Sequence, residues 1–176
     1  LRGQDMIMRT PGFEYFTPAL QEAKAQGAQV TSEMELFFEL CPCRKVAVTG
    51  SDGKTTTTTL IAEMLKHAGR TVHLGGNLGR ALLPVVDTIA EDDIAVVELS
   101  SFQLISMRTS PQIAVVTNVT PNHLDHHKDM QEYIDAKRNI LLYQTAQDKA
   151  VLGYENAVTR AMAQDVKGSY CWFTRF

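Results

Sequence analysis

The fold is decided by residues 46–56, which read VAVTGSDGKTT. An apolar, β-branched run ends at Thr49, and a turn with two glycines then leads into Lys54 and a series of threonines. Glycines let a backbone wrap a polyphosphate with its N–H groups, and the N-terminus of a helix adds positive potential. Lys54 is placed to reach the terminal phosphates, and the Thr55 hydroxyl is placed to ligate Mg²⁺. This stretch therefore predicts a strand, a phosphate-binding loop and a helix.

The loop is a shortened variant of the general phosphate-loop pattern. That pattern asks for a glycine five positions before Gly53, where this chain has Val48, so the motif reduces to G-x-x-G-K-T. A glycine turn before a helix is often only a turn, but the preceding strand and the Lys-Thr pair favour nucleotide binding. The consecutive threonines also favour function, because better helix formers would stabilise a helix start more. The predicted nucleotide-binding residues are Gly50, Ser51, Asp52, Gly53, Lys54, Thr55 and Thr56.

The rest of the chain alternates short β-branched runs with longer amphipathic stretches, which is typical of βαβ units around a parallel sheet. Almost purely apolar strands indicate a sheet that is covered on both faces. The predicted fold class is therefore α/β, with a doubly wound, mostly parallel sheet. In the helix after the loop, residues 60, 61, 64, 65 and 68 form one apolar stripe. The predicted strands are 45–49, 71–74, 94–99, 113–118, 150–152 and 169–173, and the predicted helices are 54–68, 80–88, 101–109, 130–144 and 156–164.

Residues 1–43 have a different pattern. A turn at 10–12 precedes a helix over 18–26, a short strand at 28–31 and a second helix over 33–40. This is too little for a separate domain, and Pro42 marks a plausible boundary. Leu1 is no initiator, so we expect the chain to be a fragment of a longer protein.

Composition excludes some classes of function. Apolar residues make up 44% and charged residues 21%, as in ordinary globular proteins. The net charge of −3 gives no reason to expect nucleic acid, which usually needs a clustered basic face. No apolar run approaches the ~20 residues that span a bilayer. Cys41, Cys43 and Cys171 form no framework, which indicates reduced thiols and a cytoplasmic protein. The Cys41-Pro42-Cys43 spacing favours incidental thiols over a metal or redox site.

Three further residues are candidates for the site, each with a simpler alternative. Glu98 ends the apolar run 94–97, where strand ends form the ligand crevice of a doubly wound sheet, although it could be a surface residue. His123 follows another apolar strand and could equally be a capping residue. The histidines and aspartate around it resemble a zinc cluster, but the cysteine or spaced histidine partners are missing. Lys137, taken alone, reads as an exposed helix lysine.

Five segments together resemble one family, the Mur ligases. They are residues 50–56, GGNLG at 75–79, ELSSFQL at 98–104, NHLD at 122–125 and Ala-Lys at 136–137. The second and third of these segments resemble the branch of the family that adds D-glutamate. Thr10-Pro11-Gly12 and residues 33–38 resemble the end of the family's N-terminal UDP-binding domain. Thr10 replaces the usual serine, and Asn122 replaces the usual acidic residue.

The resemblance implies an ATP-dependent ligase of peptidoglycan precursor synthesis, and so a role in cell wall formation, cell shape and division. Members of the D-glutamate-adding branch join D-glutamate to UDP-N-acetylmuramoyl-L-alanine through an acyl phosphate. Residues 1–43 would end a Rossmann-like UDP-binding domain, and residues 44–176 would form an incomplete central ATP-binding domain. The C-terminal ligase domain would lie outside this chain. The implied protein is a monomer that binds small molecules, with no nucleic acid or membrane partner.

The resemblance also assigns roles to individual residues. Lys54, His123 and Lys137 would be catalytic, and two Mg²⁺ ions would bind with ATP. Thr55 and Glu98 would hold the first Mg²⁺, while His123 and a carbamylated Lys137 would help to place the second. Carbamylation would make a lysine an anionic oxygen ligand, which suits a hard metal. The residues assigned to the substrate are Thr10, Pro11, Gly12, Asn77 and His123.

Three rival interpretations remain. A phosphate-loop kinase would also use Gly53-Lys54-Thr55, but it would not need Asn77 or the distant Lys137. A ligase similar to folylpolyglutamate synthase would share the loop and the Ala-Lys segment. The chain could also be an inactive nucleotide-binding fragment.

Overall fold

The computed structural model describes residues 1, 3–122 and 126–174 of the chain. Eight strands lie in the described residues, in two sheets. They are β1 (Met6–Arg9), β2 (Gln29–Ser32), β3 (Arg44–Thr49), β4 (Val72–Gly76), β5 (Ile94–Glu98), β6 (Ile113–Val116), β7 (Lys149–Gly153) and β8 (Ser169–Phe173). The helices are α1 (Pro18–Ala25), α2 (Glu33–Leu40), α3 (Lys54–His67), α4 (Ser101–Leu104), α5 (Met130–Leu142) and α6 (Ala157–Met162), with 3-10 turns at Leu83–Thr88 and Ala163–Asp165.

Local hydrogen bonds fix where most of these helices begin. The side chains of Ser32, Asp129 and Asn156 each accept a backbone N–H from the first turn of α2, α5 and α6. Such caps satisfy amides that have no partner inside the helix. No helix in the described part of the chain is long and apolar enough to cross a bilayer.

The large sheet has the strand order β4-β5-β3-β6-β7-β8, and every neighbouring pair is parallel. The predicted doubly wound, parallel α/β fold is therefore confirmed. Its central strands are apolar because helices cover both faces; Ala47, Val97 and Ala114 have no exposed surface. Strand β3 lies between β5 and β6. After β3 the chain forms β4 and β5 on one side of this strand and then crosses to form β6 on the other side. The carboxyl ends of these three strands form the crevice where such folds bind ligands.

Two predicted helices are shorter in the structure by more than one helical turn. The segment 80–88 contains only a 3-10 turn, because Pro84 lacks an N–H and disfavours helical backbone before it. The segment 101–109 is helical only to Leu104. Beyond that residue the chain is held from outside, since Asn139 Nδ2 donates to the Leu104 and Ile105 carbonyls at 2.9 and 3.5 Å. The prediction missed these tertiary partners.

The stripe predicted on α3 is only partly correct. Leu60 and Met64 are 56% and 63% exposed, whereas Thr58 and Ala62 are fully buried. Small side chains let the helix approach the sheet closely, so the buried face is set by size as well as by hydrophobicity.

Strand β1 was absent from the prediction. It pairs in parallel with β2, but its sequence Met-Ile-Met-Arg has no polar alternation, and Met6 and Met8 are half exposed. The strand is therefore defined by its partner and not by its own pattern.

The N-terminal segment packs firmly on the large sheet. Met34, Phe37 and Phe38 of α2 belong to the same hydrophobic core as Ala47 and Val97 of the central strands. The buried Arg9 side chain also donates to the Phe102 carbonyl at 2.7 Å and to Ser106 Oγ at 3.1 Å. Helix α2 thus stabilises the domain that contains the phosphate loop.

We predict that Phe37→Ala lowers the free energy of unfolding by about 3–5 kcal/mol, because it leaves a cavity in a fully buried site. Leu40→Ala, on the same helix but 60% exposed, is the control and should change the free energy by less than about 1 kcal/mol. Urea unfolding followed by circular dichroism measures both values. Equal small effects would show that α2 is not part of this core.

Candidate functional site

The loop between β3 and α3 depends on two glycines. Gly50 has φ +153°, and a Cβ at this position would lie 1.9 Å from Thr117 Oγ1. Gly53 has φ +77° and is the N-cap of α3, yet it has no side chain with which to cap the helix. The amides of the first helical turn are therefore not covered by a capping side chain, which is the arrangement that suits a bound phosphate.

The end of β6 holds the other side of the loop. Ser51 N–H donates to the Asn118 carbonyl at 2.8 Å, and Asp52 N–H donates to Asn118 Oδ1 at 3.1 Å. Thr117 Oγ1 and Asn118 Nδ2 both donate to the Asp52 carbonyl, at 2.7 and 3.0 Å. Lys54 folds back over the loop and donates to the Ser51 carbonyl at 2.8 Å. The loop is thus preorganised before any ligand binds.

Glu98 lies at the C-terminal end of β5 with only 2% of its surface exposed. Its Oε2 accepts the Thr55 hydroxyl at 2.7 Å, and its Oε1 accepts Asn77 Nδ2 at 2.8 Å. The structure thus brings together Glu98, Thr55 and Asn77, which lie in three separate sequence segments. The alternative that Glu98 is a surface residue is wrong. The 2.7 Å between Thr55 Oγ1 and Glu98 Oε2 also fits a pair of Mg²⁺ ligands, because adjacent ligand oxygens at the ~2.1 Å bond length of Mg²⁺ are about 3 Å apart.

Lys137 is buried beneath the loop, with 1% of its surface exposed. Its Nζ donates to the Gly50 carbonyl at 2.9 Å and lies 4.6 Å from the centre of the Tyr133 ring. Burial, and then the charge of Lys54, lowers the pKa of Lys137 from 10.5 to about 7. The prediction that Lys137 is an exposed helix lysine is therefore wrong, and Lys137 lies at the candidate site.

Sequence reasoning missed Tyr133 and Ser101 at this site. Tyr133 is 1% exposed, and its hydroxyl lies 3.0 Å from Ser51 Oγ in the phosphate loop. The spacing of Tyr133 and Lys137, four residues apart on α5, could have placed both on one helix face. Together these groups enclose a cavity of about 170 Å³, lined by Lys54, Asn77, Ser100, Ser101, Phe102, Tyr133 and Lys137.

A second cavity, of about 280 Å³, separates the loop after β1 from α4. Pro11 and Gly12 line it on one side, and Phe102 and His127 line it on the other. Thr10 is exposed on the same loop, where its carbonyl accepts the Phe13 N–H at 3.0 Å. Of the predicted residues 10–12, Pro11 and Gly12 therefore face α4 across this cavity, whereas Thr10 does not line it. His123, predicted as a catalytic, metal and substrate residue, lies outside the described residues.

A parallel sheet with a glycine loop between its central strand and a helix, and an acidic residue at the end of the next strand, defines a phosphate-loop α/β protein. Within that class the particular family follows from comparison. The model of the Mur ligase middle domain matches residues 48–176, and the chain belongs to this family.

The similarity to individual proteins extends over the whole chain. It is 55% identical over 175 residues to the UDP-N-acetylmuramoylalanine--D-glutamate ligase of Acetivibrio thermocellus, covering 99% of this chain and 38% of that protein. The enzyme of the same name from Ruminiclostridium cellulolyticum is 53% identical, with the same coverage of both chains. The chain thus spans about two fifths of the length of these relatives.

Solved structures agree on the fold. The ligase for UDP-N-acetylmuramate and L-alanyl-gamma-D-glutamyl-meso-diaminopimelate from Neisseria meningitides has a TM-score of 0.67 at 15% identity, covering 96% of this chain and 58% of that one. UDP-N-acetylmuramate-alanine ligase MurC from Thermotoga maritima has a TM-score of 0.58 at 23% identity, covering 90% of this chain and 37% of that one.

The lowered pKa of Lys137 predicts a pH-dependent stability. Below pH 10.5 the unfolded chain protonates this lysine, whereas the folded chain does so only near pH 7, so the free energy of unfolding falls as the pH drops between these values. Relative to Lys137→Met, wild-type stability should rise from pH 7.5 to 9.5 by at most about 1.4 kcal/mol per pH unit. Urea unfolding in buffer free of CO₂ measures the difference, and a constant difference would contradict the assignment.

Proposed function

We propose that the protein containing this chain joins D-glutamate to UDP-N-acetylmuramoyl-L-alanine in an ATP-dependent reaction of peptidoglycan precursor synthesis. The 55% identity over 175 residues to a ligase of that name is the observation that supports this most strongly. In this proposal residues 1–43 end the UDP-binding domain and residues 44–176 belong to the central domain. A C-terminal ligase domain, outside this chain, would complete the active site.

The chemistry requires activation of a carboxylate. A carboxylate is a poor electrophile, so ATP first phosphorylates the L-alanine carboxylate to an acyl phosphate. The amine of D-glutamate then attacks, and phosphate leaves through a tetrahedral intermediate. Lys54 and the first amides of α3 would hold the phosphates, since charge stabilisation is the main need in phosphoryl transfer. The hydrogen bonds between the loop and Asn118 would keep these donors in place without reorganisation.

Thr55 and Glu98 are proposed to hold a first Mg²⁺. Both offer oxygen atoms, and Asn77 fixes the orientation of the Glu98 carboxylate by donating to its other oxygen. When bound, Mg²⁺ would neutralise charge on the phosphates. Asn77 would thereby act on the metal site as well as on the substrate, because its side chain also lines the 170 Å³ cavity.

Lys137 is proposed to be carbamylated and, with His123, to help place a second Mg²⁺. Only a neutral amine reacts with CO₂, and a pKa near 7 leaves much of Lys137 neutral at physiological pH. A carbamate nitrogen retains one N–H, so the bond to the Gly50 carbonyl can persist. The cavity that Lys137 shares with Lys54 gives the new oxygens space beside a positive charge.

The nucleotide-linked substrate is proposed to lie along the loop at Thr10, Pro11 and Gly12 and to reach Asn77. We also propose a monomer that acts in the cytoplasm, without nucleic acid or membrane partners. Cys41 and Cys43 are both free and buried, with their sulfurs 3.4 Å apart, which fits a reducing compartment.

The deciding experiment is a product assay with the full-length protein. UDP-N-acetylmuramoyl-L-alanine, ATP and D-glutamate should give phosphate and one amide product. The rival interpretation is a ligase similar to folylpolyglutamate synthase, so a folate substrate with L-glutamate is the natural comparison. Phosphate release that depends on folate and not on D-glutamate would overturn the proposal.

We predict that Lys54→Ala lowers ATP turnover in the full-length protein by at least about 100-fold, because it removes a charged contact to phosphate. The fold should persist, since Lys54 is only half buried and its side chain donates to the Ser51 carbonyl, a contact within the loop itself. Lys66→Ala, exposed on the same helix, is the matched control. Wild-type turnover in folded Lys54→Ala would remove this lysine from the site.

We predict that Glu98→Gln raises the Mg²⁺ concentration needed for half-maximal activity by about 10-fold or more. The amide retains the size of the side chain but loses the negative charge, so the melting temperature should change little. A Mg²⁺ titration of the ATPase rate measures the effect, and Glu63→Gln, exposed on α3, is the control. Identical titration curves for the two variants would exclude Glu98 as a ligand.

A further inference from the structure

The hydroxyl of Ser101 is not needed to begin α4, although Ser101 is its first residue. Ser100 is the N-cap, and its hydroxyl and backbone N–H form a reciprocal capping box with Gln103. The Ser101 side chain is 2% exposed, and its Oγ lies 2.9 Å from His127 Nε2. Ser100 thus caps the first turn of α4, which leaves the Ser101 hydroxyl available for another role.

The partner on the other side of His127 determines the direction of these hydrogen bonds. His127 Nδ1 lies 3.1 Å from Glu132 Oε1, which also accepts the Lys128 N–H at 3.3 Å. An ionised carboxylate only accepts, so Nδ1 holds the ring proton and Nε2 of the neutral ring is an acceptor. Ser101 O–H therefore donates to Nε2, and its oxygen lone pairs remain available to accept a proton or a hydrogen bond.

Packing fixes the imidazole ring in this orientation. Phe102 stacks on His127 with ring centres 5.1 Å apart and planes 8° apart, and Tyr133 packs against its edge at 5.2 Å. His127 is 4% exposed. A ring that is stacked by one aromatic side chain and contacted by a second keeps its orientation when the proton moves, which is the requirement for a preorganised proton relay from Ser101 to His127.

Only one member of the relay faces the candidate reaction site. Ser101 lines the 170 Å³ cavity together with Lys54 and Lys137, whereas His127 and Glu132 line the second cavity, on the other side of Phe102. Proton transfer from a group bound beside Lys54 to His127 would thus have to pass through the Ser101 hydroxyl.

We propose that Ser101 accepts the proton of the attacking amine during amide formation, with His127 and Glu132 as its positioning partners. This inference rests on the proposed ligase function. As the amine lone pair forms the C–N bond, the carbonyl π pair moves to oxygen and an N–H proton passes to Ser101 Oγ. The Ser101 hydroxyl proton moves at the same time to His127 Nε2. The C–O bond to phosphate then breaks with its electron pair, the carbonyl re-forms, and His127 returns its proton to water.

The relay acts in amide formation and not in acyl phosphate formation, and one assay can measure the two half-reactions separately. Acyl phosphate formation needs no amine base, and hydroxylamine at high concentration traps this intermediate without the relay, because its strongly nucleophilic, unprotonated nitrogen attacks acyl phosphates unaided and water accepts the released proton. D-Glutamate, in contrast, binds as an ammonium that loses one proton to water before attack, and the second N–H proton, released as the C–N bond forms, is the one that Ser101 accepts. In the full-length protein, Ser101→Ala should therefore lower the rate of amide formation by about 100-fold, the usual scale of acid–base catalysis, with the hydroxamate rate near wild type.

His127→Phe is the second variant, because it retains an aromatic ring against Phe102 but removes both nitrogens. It should give the same split between the two rates, and the exposed Ser169→Ala should give none. Equal loss of both rates in folded variants, or no loss in either, would overturn the relay; if one variant misfolds, the other decides. A wild-type protein that forms neither hydroxamate nor amide would instead overturn the proposed function, and the relay with it.

Discussion

The close approach of Gly50 to Thr117 is the contact on which the rest of the site depends. A Cβ at Gly50 would overlap the Thr117 hydroxyl, so only glycine lets the end of β3 pass beside the end of β6. That passage places the Gly50 carbonyl over α5, where it accepts Lys137 Nζ, and turns the next residues onto Asn118. The loop, the buried lysine and the start of α3 therefore have one common geometric origin.

Two residues of ionisable type, Glu98 and Lys137, are almost completely buried at this site. Glu98 and Lys137 are 2% and 1% exposed, and each is satisfied by a small number of fixed partners. For Lys137 those partners include no anion among the described residues, and its pKa falls to about 7. A neutral lysine under a phosphate loop stabilises the fold poorly but is suited to chemical modification. The stability lost there is offset elsewhere, for example where α2 fills the core behind the sheet.

Helix α5 connects the phosphate loop to the region of α4. Its residues Glu132, Tyr133 and Lys137 contact His127, Ser51 and Gly50 respectively. Asn139, farther along the same helix, ends α4 by binding its last carbonyls. A rigid helix thus sets the distance between two functional regions that are far apart in sequence, which is how a scaffold maintains catalytic geometry.

Several features were accessible from the sequence because they are local. The glycines at 50 and 53, Lys54 and the apolar strands define the loop and the parallel sheet, since backbone permissiveness and strand burial depend on neighbouring residues. The pairing of Glu98 with Thr55 was accessible only through the rule that strand ends meet at a switch point. Other features depend on partners remote in sequence: the strand at Met6–Arg9, the early end of α4, the exposure of Leu60 and the burial of Lys137. The sequence by itself determined which groups could bind phosphate, whereas the tertiary structure decided which were desolvated, because burial is a property of the packed chain and not of a segment.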